Sequence, residues 1–349
     1  MAADVSAVLT GWWDTSSPLP QLPALAAALA AASGSDPAAA AAAAAAGAAN
    51  GRAQQHSMPR RAVMLLVLVA GYMPLTVRDL EEWSAEGEVW AHANSDAAGS
   101  CDTLRSCCQQ LVLSLVLADT PATAPVLVTL LKGVTALVPA GWGLGQLQQQ
   151  AAAGGQQQQP GVPPLPGPVV NGPGGVLYPG VLLLKDAVYD AAALAAYQLH
   201  DALDYRSWLH SNLLPEMQAL QQQHPARQQV LPLMPRAAAR VIGQWVSDLK
   251  ADDRQAAYAA LAVALVQPQA RQQSGEPDVV LQLAAVAALR GLVDDFGFEG
   301  QAFVGVLPAV MRALTAMLKD RDELDTQTQV GRLRACQIKQ DEYAACSTL

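Results

Sequence analysis

The chain has 349 residues, 52% hydrophobic and only 15% charged, with 30 acidic against 21 basic side chains and a formal net charge of −9. That length is ample for a sizeable core. The sign of the charge excludes a general phosphate-backbone binder, which needs a basic face, and favours a basic protein partner.

Residues 1–57 hold a long alanine run, can be helical and have little to bury, so they read as a weakly ordered low-complexity segment. Asp4 comes early, with no basic region ahead of an apolar stretch, so no secretory signal is expected. Five cysteines without paired spacing fit a reduced chain of the cytosol or nucleus better than a disulfide framework. Residues 58–140 are expected to hold helical repeats. The run "AVMLLVLVAGYM", Ala62 to Met73, is about a dozen residues where a membrane-spanning helix needs about 20, so it reads as a core helix. Asp79, Glu81, Glu82, Glu86 and Glu88 follow as an acidic run, either a solvated loop or face or a contact for a basic partner.

Residues 141–180 include "QLQQQAAAGGQQQQPGVPPLPGPVVNGPGG", whose Gln, Gly and Pro content cannot form a packed core; a disordered insertion is expected there. From 181 to 330 the apolar pattern is helical, with helices drawn at 183–200, 205–223, 230–248, 253–267, 278–294 and 301–319. The last carries Phe303, Val306, Leu307, Val310, Met311, Leu314, Met317 and Leu318 at spacings of 3 and 4. These make three pairs. Asp201, Asp248 and Asp294 close the first helix of each pair, 47 and 46 residues apart. A two-helix period of about 40–47 residues is the signature of HEAT-type repeats, so the expected fold is all-α, an α-solenoid of helical hairpins. Pro215 and Pro308, 93 positions apart inside the second helices, are expected to bend them.

The stretch "RVIGQWVSDL", residues 240–249, reads as one helix with Val241, Ile242, Trp245, Val246 and Leu249 on a wide apolar face. Gly243 is expected to admit a neighbouring backbone, and Trp245 to fill the gap between layers. After Val330 the pattern gives way to a divergent tail, residues 331–349.

No chemistry of catalysis stands out. Cys101, Cys107 and Cys108 lack a second paired cluster or a spaced histidine, so buried thiols are expected and no metal. His200 and His210 have no nucleophile or carboxylate at a fixed offset and read as surface or turn histidines. There is no P-loop, dinucleotide glycine pattern or G-x-S-x-G, so neither enzyme activity nor a cofactor is expected. Residues 72–140 carry 3 basic and 8 acidic groups and residues 178–330 carry 12 and 17, which places the negative charge in the repeats.

"LLKDAVYDAAALAAYQLHDALDYRSWLHSNLLPEMQ", "RVIGQWVSDLKADDRQAAYAAL" and "ALRGLVDDFGFEGQAFVGVLPAVMRALTAMLKDRDELDTQTQV" resemble the middle region of nuclear transport receptors of the importin-beta superfamily, in its importin eleven branch. "YMPLTVRDLEEWSAEGEVW", Tyr72 to Trp90, is similar to the same branch. The resemblance implies a right-handed superhelix that carries folded cargo through the nuclear pore, with exchange controlled by the GTPase Ran. It implies three kinds of partner: Ran, basic cargo and pore proteins with Phe-Gly repeats. It also implies residence in cytoplasm, nucleus and nuclear-envelope pores, and makes the acidic run a candidate contact for cargo or Ran. Family members are several times longer, and residues 1–57 do not match the amino-terminal repeats that hold the main Ran contacts, so Ran binding weaker than a complete receptor's is expected. Gln282 stands where a HEAT helix often has arginine.

HEAT repeats commonly place an aspartate in the turn and a basic residue about six positions on, forming a hydrogen-bonded ladder. Asp248 with Arg254 fits that offset, Asp201 has Arg206 one position early, and Asp294 is followed there by Gly300. The alternative is a line of carboxylates facing basic cargo. Two rival functions share the fold: a HEAT scaffold for a phosphatase or kinase complex, or a fragment without a function of its own.

Overall fold

A computed structural model describes residues 60–94, 103–141, 169–220, 231–266, 278–298, 300–320, 326–328 and 330–333. Helices α1 (Arg60–Val67), α2 (Val77–Ala85), α3 (Gly87–Ala93), α4 (Leu104–Ala118) and α5 (Thr120–Leu137) come first. A two-stranded ribbon of β1 (Val169–Asn171) and β2 (Leu177–Pro179) leads into α6 (Gly180–Leu194) and α7 (Ala196–Leu199). Then follow α8 (Tyr205–Trp208), α9 (Leu214–Gln218), α10 (Leu233–Gln244), α11 (Ala251–Val266), α12 (Val279–Asp294), α13 (Gly300–Val304) and α14 (Leu307–Asp320). The chain divides into two compact units. One takes Met1–Val77, Gly99–Pro139 and Gln150–Leu203; the other takes Arg78–Ala98, Ala140–Gln149 and Asp204–Leu349.

In the first unit, α5 packs on α1, α4 and α6. Pro121 sits in its first turn, where a missing N–H costs nothing. Thr123, Ala124, Leu127, Leu130, Leu131 and Val134 recur at helical spacing and are buried. With 18 residues of mean hydropathy 1.3, α5 is long and apolar enough to cross a membrane by length and composition alone; here that apolar stripe forms part of the core. The Ala62–Met73 run is helical as expected, passing from α1 into a π-helical turn at Leu68–Tyr72, with Leu65, Leu66 and Val69 buried. Helix α4 starts on a capping box: the Thr103 hydroxyl accepts from the Ser106 N–H at 3.0 Å, and the Ser106 hydroxyl accepts from the Thr103 N–H at 3.1 Å.

Helix α6 is buried from Gly180 to Ala193, and that run includes Lys185, Asp186 and Asp190. Charges this deep must be paired. Arg105 of α4, itself 5% exposed, donates through Nη2 to Asp186 at 2.9 Å and to Asp190, one turn along the same face. Lys185 donates to the Val138 carbonyl at 2.7 Å and lies 5.5 Å from the centre of the Tyr189 ring. The sequence reading missed this cluster.

The ribbon corrects the expectation of a disordered insertion over the whole of 141–180. Val169, Val170 and Asn171 pair antiparallel with Pro179, Tyr178 and Leu177. Gly174 and Gly175 supply φ of 66° and 75° in the turn, and Tyr178 is fully buried. The glycines read as linker in composition are turn residues here, and the buried tyrosine anchors the ribbon. Residues 142–168 lie outside the described residues, as do 1–57 and 334–349. Residues 331–333, assigned above to the divergent tail, are helical, with Leu333 fully buried.

In the second unit, α12 packs on α10, α11 and α3, while α9 packs on α10 and α11. A side-chain carbon added at Gly243 of α10 would lie 2.7 Å from the Cα of Ala288, and one at Gly291 would lie 3.0 Å from the Gly243 carbonyl oxygen. The two backbones touch, as expected for Gly243. Gly243→Ala should therefore destabilise by about 1–3 kcal/mol, despite alanine's better helix propensity, because backbone cannot move aside as a side chain can. Equilibrium urea unfolding measures this, and a stabilised variant would contradict the close approach.

Three helix expectations need correction. Residues 240–249 are not one helix: α10 ends at Gln244, Trp245 leaves helical geometry, and Val246–Asp248 form a 3-10 turn. Pro215 does not kink a uniform helix; a π-helical turn at Leu209–Leu213 comes just before it, and Pro215 falls in the first turn of α9. The wider turn accommodates a residue that cannot donate. The expected 301–319 helix is broken between α13 and α14, and Pro308 opens the second piece. Phe303, Val310, Leu314 and Met317 of its apolar stripe are nonetheless buried.

Candidate functional site

The acidic run is mostly helical: Asp79, Glu81 and Glu82 lie in α2 and Glu88 in α3, with Glu86 at the break between them. Trp83 of α2 and Trp90 of α3, seven positions apart, are both 3% exposed and stack with ring centres 4.8 Å apart. Arg236 of α10 brings its guanidinium to 5.6 Å from the Trp83 ring centre and 5.7 Å from that of Trp90. This is a desolvated cation–π clasp, an arrangement worth about 2 kcal/mol or more. The Trp83 indole N–H donates to the Asp278 carboxylate at 3.1 Å, and that carboxylate also accepts from the Leu281 N–H at 2.9 Å, capping α12. One aspartate thus fixes the start of α12 and holds α2 against it.

With both tryptophans turned inward, Glu81, Glu82 and Glu86 are exposed, while Asp79 and Glu88 are half-buried. Arg78 pairs with Glu82 at 2.6 Å on the outside of α2. The residues missed by sequence reasoning are Arg236, Asp278 and the two tryptophans. The available signal was a pair of tryptophans inside an acidic run, large apolar rings that such a solvated segment would not otherwise carry.

The turn aspartates are spread out. Asp201 is exposed in the turn after α7, Asp248 is half-buried in the 3-10 turn, and Asp294 ends α12 with Arg290 at 3.4 Å. Arg254, 3% exposed, donates to the Val246 and Leu249 carbonyls at 3.1 and 3.2 Å and to the carboxylate of Asp295. A second link of the same kind joins Asp253, 1% exposed, to Arg206 at 3.3 Å and to His210 at 2.7 Å. Burial alone would raise the Asp253 carboxyl, but the His210 hydrogen bond and the Arg206 charge outweigh it, and its pKa ends below the ordinary value. The stability this group adds is present at neutral pH and is lost as pH falls through that lowered pKa.

Gln282, at the position where arginine is common, donates to the Leu265 carbonyl at 3.0 Å. Cys107 is half-buried and Cys108 buried, neither of them in a disulfide; burial raises the Cys108 pKa. Cys101 lies outside the described residues. His200 is exposed.

No profile of a known protein family matches the chain. Over 172 residues, 49% of the chain, the sequence is 34% identical to Importin-11 of Homo sapiens and 34% identical to Importin-11 of Mus musculus. The matched stretch spans 16% of the length of each. The solved structure of Lph2, described as a novel bidirectional nuclear transport receptor in S. cerevisiae, matches with a TM-score of 0.54 at 17% identity. That match covers 91% of this chain and 27% of the other. The fold class is accordingly all-α, an α-solenoid, with the small ribbon as a local exception among the described residues.

Proposed function

We propose that this chain, which is 34% identical to Importin-11 over 49% of its length, is a binding module of a nuclear transport receptor, holding basic cargo on the outer face of α2 and α3. The carrying observation is the clasp of Trp83 and Trp90 by Arg236, which turns Glu81, Glu82 and Glu86 toward solvent together. Ran and pore proteins with Phe-Gly repeats are its further partners in this reading. The module works between cytoplasm and nucleus and at the nuclear pores, by binding and not by catalysis. The structural ladder in this reading runs through Arg254 with Asp295 and through Asp253 with Arg206 and His210, in place of the expected Asp201, Asp248 and Asp294.

Reversing the sign of the exposed face tests the cargo surface. The triple variant Glu81→Lys, Glu82→Lys, Glu86→Lys should bind a fluorescent lysine-rich cargo peptide at least about tenfold more weakly, since rim charges set attraction and salt dependence. Its melting temperature should stay close to the parent's, because all three side chains are exposed and the Arg78–Glu82 pair that is lost is a solvent-exposed one of small worth. Unchanged affinity in a folded triple variant would remove this face as the cargo site.

A further inference from the structure

A cleft of about 480 Å³ in the second unit has a sign opposite to that of the chain. Arg236, Arg240, Arg290 and Arg332 line it, and no carboxylate does among the described residues, although the chain as a whole carries −9. Arg236 and Arg240 are one turn apart on α10, so both reach the same side. Arg290 is 42% exposed in its side chain, and its pairing with Asp294 is long, 3.4 Å, and half in solvent. Such a pair is worth about 0–1 kcal/mol and yields readily to a better acceptor. Arg332 is exposed.

The floor is low and apolar, formed by Leu283, Ala284 and Ala287 of α12, with the backbone at Gly243 beside it. Small side chains along one helix face leave a trough instead of a ridge. From Val280 to Arg290 the helix advances about 15 Å, the length of four or five residues of extended chain.

The geometry points to a binding site for an acidic peptide segment, with carboxylates received by Arg240, Arg290 and Arg332 while Arg236, held against the tryptophan rings, adds positive field, and with apolar side chains laid on the α12 floor. Guanidinium forks grip carboxylates in bidentate fashion, which gives direction as well as attraction. A nucleic acid does not fit, since its backbone would meet a repulsive net charge outside the cleft. The site shares Arg236 and Trp90 with the clasp, but the inference does not rest on the transport reading, whose cargo face has the other sign.

The test uses the whole chain and a fluorescein-labelled short peptide of alternating glutamate and leucine, followed by anisotropy. The parent should bind it and should not bind the lysine–leucine counterpart. Arg290→Glu combined with Arg332→Glu should weaken binding at least about tenfold, while Arg312→Glu, an equal charge change per site on an exposed position of α14 outside the lining, should leave it unchanged. Ala287→Trp keeps every charge and fills the trough, so it should weaken binding as strongly, and it stands in if the double variant fails to fold. Equal loss in Arg312→Glu would show long-range charge only and overturn the proposal. So would undiminished binding by Ala287→Trp, or binding of a phosphoserine–leucine peptide where the glutamate peptide does not bind.

Discussion

Replacing Arg105 by alanine is expected to lower stability by about 3–5 kcal/mol, because it removes the guanidinium that two buried carboxylates of the first unit share. Asp186 and Asp190 are fully buried on α6, and the Arg105 side chain, 5% exposed, reaches both. Neither acid can turn to water, since α6 is covered from Gly180 to Ala193. Arg105→Lys should recover only part of the loss, because an ammonium is a point donor and cannot span two carboxylates as a planar fork does. Chemical denaturation of both variants at neutral pH checks this. An alanine variant within about 0.5 kcal/mol of the parent would show that the cluster does not hold the two helices together.

Trp245→Ala is expected to cost a similar amount, about 3–5 kcal/mol. The indole is 1% exposed, stacks flat on Tyr205 with centres 4.8 Å apart, and meets Trp208 edge-on at 6.4 Å. Truncation removes both ring contacts and leaves a cavity between hairpins that the packed helices cannot close. Tyr205→Phe is the contrasting substitution. Its hydroxyl is buried without a hydrogen-bond partner among the described residues, and burial, reinforced by Asp248 and Asp253, holds its pKa far above the ordinary tyrosine range. Removing that hydroxyl should leave stability unchanged or slightly raised while keeping the stack. If Tyr205→Phe destabilised as much as Trp245→Ala, the hydroxyl and not the ring packing would be holding this junction.

The clasp over α2 and α3 explains why an acidic, solvent-loving segment is ordered at all. Its two indoles and the Asp278 contact supply the burial that five carboxylates cannot. The acidic face built this way is held in place by Arg236 of α10 and by Asp278 at the start of α12, so truncations that keep the acidic run and remove those helices leave it unsupported.

The sequence by itself determined the helical class and the course of α11 and α12, because apolar spacing of 3 and 4 is a local property. It also determined the roles of Gly243 and Trp245: a missing side chain and a large ring each have few uses on a buried face. The tertiary structure alone decided which distant groups meet. Arg105 finds carboxylates 81 and 85 positions away, and Trp83 finds Asp278 195 positions away. Periodicity says which face is buried and is silent on what covers it. The ladder shows how fine that decision is: the carboxylate meeting Arg254 belongs to Asp295 and not to Asp294, the last residue of α12. One residue further along a helix turns a side chain by about 100°, and the chain has by then left helical geometry, so only the packed turn could select the aspartate that faces the arginine.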